Sequence, residues 1–241
     1  MYILKIFILL QLSTNLQKMR WHHENARDDG IMCHLVDSPA WKTLDSKWPN
    51  FSNDPRNVRL AMAVDGINHF GDLSSSYNVW PVVLVTYNLP PWLCTKMNFC
   101  MLSLLISGPK QPGNDIDVYL EPLVHELKVT WDEGVRTYDA QSRSFFNMKA
   151  ILMCIIHEFP AYGNMVGCTT KGFYACHICG RNTNSEYLKC SRKCVYMGHR
   201  KYLPVKHKYR SQKRPFNRKL EHRIATKIVQ VSYIFLETEG K

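Results

Sequence analysis

Residues 60–66, LAMAVDG, set a carboxylate where an apolar run stops. Leu60 to Val64 has the length and composition of a buried strand, and Gly66 can end it by taking backbone angles that other residues resist. Asp65 at that strand end can hold a divalent cation, because Mg²⁺ prefers hard oxygen ligands and a strand positions them better than a loose loop. Asp-Gly is also a common turn pair, so the same residues can simply reverse the chain. A second apolar run, Ala150 to Ile156, ends at His157-Glu158 and brings another acid to a strand end. Further on, Cys176-His177-Ile178-Cys179 offers two thiolates from one knuckle, with Cys190, Cys194 and His199 downstream. Tetrahedral zinc needs two ligands beyond such a pair. Cys-x-x-Cys also serves redox chemistry, but no helix-starting pattern surrounds this one.

Arg200 to Arg223 is strongly basic. Arg200, Lys201, Lys206, Lys208, Arg210, Lys213, Arg214, Arg218 and Lys219 alternate with Tyr202, Tyr209 and Phe216. Cations neutralise phosphates and aromatics stack on bases, so the stretch is a candidate DNA contact; a solvated charged linker is the alternative. The whole chain carries +11, with 31 Lys and Arg against 20 Asp and Glu. That excess favours polyanions and says nothing about fold. Hydrophobic residues make up 45% of the 241, enough for one good core and a small second module rather than a disordered chain. The clustered cysteines suit a metal site in a reducing compartment better than a secreted disulfide framework.

Several elements must position these groups. Ser38-Pro39 reads as an N-cap with proline in the first turn, predicting a helix over 39–47. Val79 to Tyr87 and Phe99 to Ile106 read as strands around the Leu89-Pro90-Pro91 corner, forming an antiparallel meander with the Asp65 strand. Ile116, Leu120, Leu123, Val124, Leu127 and Trp131 recur at helical spacing, with Asp115 and Asp117 as capping acids and Gly134 closing the helix. Val135 to Asp139 reads as a short extended piece. Trp80, Trp92 and Phe99 read as core aromatics rather than a stacking platform. His22, His23 and His34 sit in a polar segment and read as solvent-exposed. MYILKIFILLQLS is too short to span a bilayer and shows no clear cleavage site. The run IVQVSYIFL near the end can supply a strand or an unpaired edge. These patterns define an α/β or α+β protein.

The words DGINHFG, SYNVWPVVLVTYNLPPWLC, LLISGPKQPGNDIDVYLEPLVHELKVTW and FPAYGNMVGCTTKGFYACHIC occur in one register. Together they resemble the transposases of plant CACTA (En/Spm-type) DNA elements, over about residues 19 to 223. The resemblance implies a ribonuclease-H-like mixed sheet and metal-dependent DNA strand cleavage and transfer. Asp65 matches the family's first acid, in its Asp-Gly-Phe-Asn-Pro-Phe-Gly word, with Ile67 and His69 as departures. Glu158 stands where the family has Asp-Phe-Pro-Ala-Tyr-Gly, and its extra methylene weakens the expected grip on Mg²⁺ or Mn²⁺. The family's third acid has no counterpart, because Glu221 cannot be matched to it, nor can Glu237 or Glu239. In the zinc block Cys190 replaces a histidine, while Tyr196 to Arg200 is retained. The implied zinc set is Cys176, Cys179, Cys190 and His199, with Cys194 competing for the third place.

The expected organisation is an extension over 1–18, a polar segment over 19–59, a ribonuclease-H-like core over 60–167, a small zinc module over 168–204 and a basic segment over 205–241. The expected protein is a truncated or inactive transposase of a cut-and-paste element. It would bind DNA, and either copies of itself or other transposon-encoded proteins, but no membrane. It would work in the nucleus, with a signal-like N-terminus as the alternative address. The rivals are a non-catalytic zinc-stabilised DNA-binding or interaction protein derived from such a core, and a remnant that never folds.

Overall fold

The computed structural model describes residues 17–68, 78–167, 172–176, 179 and 183–225. The N-terminal apolar stretch, the end of the DGINHFG word, His177 and the final β-rich run lie outside the described residues, the last from residue 226 onward. Contacts divide the chain into two units, with the boundary between Ala161 and Tyr162.

The first unit is built on a mixed four-stranded sheet. Strands β1 (Val58–Val64), β2 (Trp80–Thr86) and β3 (Cys100–Ile106) form the expected antiparallel meander, while β6 (Ala150–Ile156) lies parallel to β1, giving the order β3-β2-β1-β6. A central strand packs on both faces, so β1 is apolar apart from Arg59: Val58, Leu60, Ala61, Met62 and Val64 are all buried. Helix α1 (Pro39–Lys47) starts as its sequence dictates, with the Ser38 hydroxyl accepting from the Trp41 amide. Helix α2 (Ile116–Asp132) buries Ile116, Leu120, Leu123 and Leu127 at helical spacing and packs on β6. Asp115 is its N-cap residue but makes no side-chain cap bond. A hairpin of β4 (Val135–Asp139) and β5 (Ser144–Met148) follows α2 and leads into β6. Helix α3 (Phe159–Val166) begins directly after Glu158.

The polar stretch before β1 contributes buried side chains to the first unit. Trp41 and Phe51 are buried, and the rings of Trp48 and Phe51 meet Trp131 of α2 at 5.5 and 5.2 Å. His22 and His34 are buried as well, contrary to the exposed reading. Nδ1 of His34 accepts from the Val36 amide and its Nε2 lies 3.5 Å from Cys94 Sγ, so a turn and a thiol take up the ring's polar atoms. Among the predicted core aromatics Trp80 is buried, whereas Trp92 is 62% exposed.

The second unit contains a hairpin of β7 (Ser185–Leu188) and β8 (Lys193–Tyr196), with Cys190 in its turn. The basic stretch is folded onto itself. Arg200 donates to the carbonyls of Tyr209, Gln212 and Lys219 and to Asn217 Oδ1, and Arg210 donates to the carbonyls of Arg200, Lys201, Leu203 and Arg223. A guanidinium carries enough donors in a fixed plane to close several loops at once. No helix among the described residues is long and apolar enough to cross a membrane.

Candidate active site

Asp65 follows β1 and Glu158 follows β6, two neighbouring parallel strands. Their register begins with Val58 beside Ala150 and ends with Ala63 beside Ile156, and it shifts between Leu60, paired with Leu152, and Ala61, paired with Cys154. Met153 is therefore an extra residue, a β-bulge. Its effect reaches the strand ends. Without the bulge, His157 would stand opposite Asp65; with it, continuing the register by two residues sets Glu158 there. Side chains alternate along a strand, so a one-residue slip decides which residue shares a face with its neighbour. Carried past the last observed pair, the shifted register would put the two carboxylate-bearing positions on one face of the sheet.

The partner strand on the other side shapes the Asp65 end. Val64 pairs with Val82, and beyond β1 Ile67 and Val79 exchange both backbone hydrogen bonds at 2.8 and 3.0 Å. The same register places Asp65 opposite Pro81 and Gly66 opposite Trp80. Proline has no N–H, so the ladder bond to the Asp65 carbonyl has no donor there and regular pairing stops. The carboxylate, half-buried, accepts from the Gly66 amide at 2.8 Å. Glu158 is exposed.

Gly66 is needed for space rather than for unusual backbone angles, because its φ lies outside the left-handed region. A Cβ on it would lie 2.9 Å from Cε2 of Trp80, and that indole is 4% exposed and held in the core. Gly66→Ala is therefore expected to cost about 1–3 kcal/mol as an overpacked contact. It should also shift the neighbouring carboxylate. Thermal melting beside nicking activity checks this: an unchanged melting temperature would mean that the indole moves freely.

The described residues contain no group of three or more His, Cys, Asp or Glu side chains arranged to hold a metal ion. After the two strands the described residues offer Asp65 and Glu158, whose carboxylate oxygens are the donor type Mg²⁺ takes. In the second unit, Cys176, Cys179, Cys190 and His199 are not gathered as the tetrahedral zinc set, and Cys194 does not complete one. Cys179 Sγ instead lies 2.9 Å from the Tyr202 hydroxyl, and Cys194 on β8 stands opposite Tyr187. As placed, the described donors do not form a zinc set.

The candidate DNA contacts divide in two. Lys206, Lys208, Lys213 and Arg214 are exposed, while Arg200, Lys201 and Arg210 are buried. The donors of the two arginines point at backbone carbonyls, so these residues shape the basic loop rather than meet phosphate. No sequence signal separates the two groups, since burial depends on where the loop closes.

Glu221, unmatched to any catalytic position, is part of that closure. Its carboxylate is 3% exposed and accepts from Nε of Arg223 at 2.8 Å and Nη2 at 2.7 Å. The Arg223 hydrogen bonds hold its pKa down at about 2 against an ordinary 4.5. Because the folded value is depressed, this contribution to stability is complete above pH 4.5 and is lost as pH falls toward 2. Melting temperatures of the wild type and Glu221→Gln should differ at neutral pH and converge through that window. A constant difference would show that the ion pair contributes nothing.

The mixed sheet with a helix packed on it defines an α/β protein. The chain belongs to the family described as Transposase family tnp2, which it matches over residues 29–239. No curated protein and no solved structure matches it significantly. Membership implies that the protein interacts with DNA.

Proposed function

We propose that this is the core of a CACTA-type (En/Spm) cut-and-paste transposase, with a ribonuclease-H-like sheet on which Asp65 and Glu158 form two-thirds of a metal-dependent nuclease site. The observation that supports the reading is the register shift at Met153; continued two residues past the last pair, that register would bring Glu158 rather than His157 opposite Asp65. When bound at such a site, Mg²⁺ or Mn²⁺ activates the attacking oxygen and stabilises the leaving oxygen of a phosphodiester. Asp65 would be the fixed ligand, held at a strand end by its own Gly66 amide. Glu158 would be the longer, exposed partner. Exposed Lys206, Lys208, Lys213 and Arg214 would neutralise DNA phosphates, which predicts binding that weakens steeply with salt. The described cysteines are all free thiols, which suits a reducing compartment such as the nucleus.

The lack of a third acidic ligand among the described residues favours a second reading, a DNA-binding derivative that no longer cuts. A supercoiled-plasmid nicking assay with Mg²⁺ or Mn²⁺ separates the two. Cleavage by the wild type that disappears in Asp65→Ala supports the nuclease. Salt-sensitive binding with no cleavage in either metal overturns it and leaves the DNA-binding derivative.

A further inference from the structure

The β4–β5 hairpin presents an aromatic and cationic face that the carboxylate site does not use. In its register Arg136 stands opposite Asn147 and Tyr138 opposite Phe145, so these four side chains share one face. Phe145 is 60% exposed and Tyr138 38% exposed, with ring centroids 5.2 Å apart. The Arg136 guanidinium lies 4.3 Å over the Phe145 ring.

The opposite face anchors the hairpin. Thr137, Asp139 and Met148 are buried, and Arg56 lies 3.9 Å over the Phe146 ring. The Asp139 carboxylate accepts from Arg20 at 3.2 Å, from Arg56 at 3.4 Å and from the amides of Gln141 and Ser142. Asn147 Nδ2 donates to the Glu133 carbonyl at 2.7 Å. Asp139 is the one acid between Val135 and Lys149, and its side chain is fully buried. The hairpin's exposed charges are therefore positive: Arg136 and Arg143 are both exposed, the latter in the turn. The nearest acid in sequence is Glu133, just before β4.

We propose that this face is a stacking platform for the unpaired bases of single-stranded DNA, with Phe145 and Tyr138 as the stacking rings and Arg136 and Arg143 meeting the adjacent phosphates. Two rings are too little for a protein partner, since stable protein interfaces bury on the order of 1,000 Å² or more. A single ring suffices for one base, and cations beside it suit the strand's backbone. An exposed cross-strand aromatic pair can also serve only to stabilise its own hairpin, so the test must separate binding from folding. The inference rests on the family's DNA substrate and not on the carboxylate pair. The hairpin leads into the start of β6, while Glu158 follows its end, a separation along the strand of roughly 20 Å.

The experiment is fluorescence anisotropy on the full chain in EDTA, comparing a short oligothymidylate with an abasic oligomer of equal length. The wild type should bind the thymidylate about tenfold more tightly, the gain expected of ring stacking. Phe145→Ala and Tyr138→Ala should lose most of that preference while keeping the phosphate-driven affinity. Phe145→Trp should keep it. Phe145→Leu retains an apolar contact with Tyr138 and should keep the melting temperature yet lose the preference, which decides the matter if the alanine variants fold poorly. Equal affinity of the wild type for both oligomers overturns the proposal, as does a base preference that survives Phe145→Leu. Self-association abolished by Phe145→Leu without any base preference also overturns it, in favour of a second copy. Asp65→Ala should behave as wild type here, so failure of this proposal and failure of the nuclease reading are told apart.

Discussion

Arg59→Ala is expected to destabilise the first unit by about 3 kcal/mol, the low end of what removing one partner from a buried ion pair costs. Arg59 is 1% exposed in β1, and its guanidinium lies 4.5 Å over Trp41 and 4.9 Å over Phe51. Nη2 donates to Asp45 Oδ1 at 2.6 Å, and Nη1 lies 3.3 Å from His22 Nε2. The low end applies because the Asp45 side chain is 35% exposed and can be rehydrated. For a unit of this size the loss corresponds to roughly 6–12 °C in melting temperature. Arg59→Met keeps the stem between the two rings and removes the charge, so it should cost less than half as much. Equal losses in the two variants would mean that the charge pairing, not the packing, holds the region.

The same contact predicts a pH signature. An arginine only donates, so His22 Nε2 must accept from it, which leaves the ring neutral with its proton on Nδ1, 3.1 Å from the Met19 carbonyl. Burial first and the Arg59 charge second push the His22 pKa from 6.5 down to about 3. The unfolded chain then binds the proton more readily, so stability is complete above pH 6.5 and falls as pH drops toward 3. In Arg59→Met that slope should become shallower but not flat, because burial is the larger cause. Arg59 is six residues before Asp65 on the strand, roughly 20 Å and beyond the screening length of about 8–10 Å at moderate salt. Activity per folded molecule should accordingly be unchanged in Arg59→Met.

Local signals made much of the scaffold legible. Ser38-Pro39 announced α1, and Ala150–Ile156 could be read residue for residue as β6, because capping and apolar runs are written in adjacent residues. The Met153 bulge was invisible, since nothing in AILMCII distinguishes a regular strand from one with an extra residue, yet it shifts the register of every pair after it. Strand β5 escaped notice because its aromatics alternate between a half-buried anchor and an exposed platform and so give no clear apolar stripe. His22 and His34 looked solvated because the residues that cover them, such as Trp41, are distant in the chain or belong to a segment that reads as polar. Arg200 and Arg210 looked like phosphate ligands for the same reason: a cation's partner can be a backbone carbonyl, which leaves no mark in composition.

Asp65→Asn is expected to lower Mg²⁺-dependent nicking by on the order of 10²–10³, the loss typical of removing one preorganised group that stabilises developing charge. The substitution keeps an oxygen where the Gly66 amide donates, so the fold and DNA binding should survive. Glu158 makes the opposite kind of test. It reaches one methylene further than the aspartate of the resembling transposases, and misplacements near 1 Å can cost about 10² in rate. Glu158→Asp should therefore raise nicking by about tenfold, while Glu158→Gln should lower it. If Glu158→Asp and Glu158→Gln both leave the rate where it was, the strand-end pair has no part in cutting, and Asp65 would be a turn residue after all.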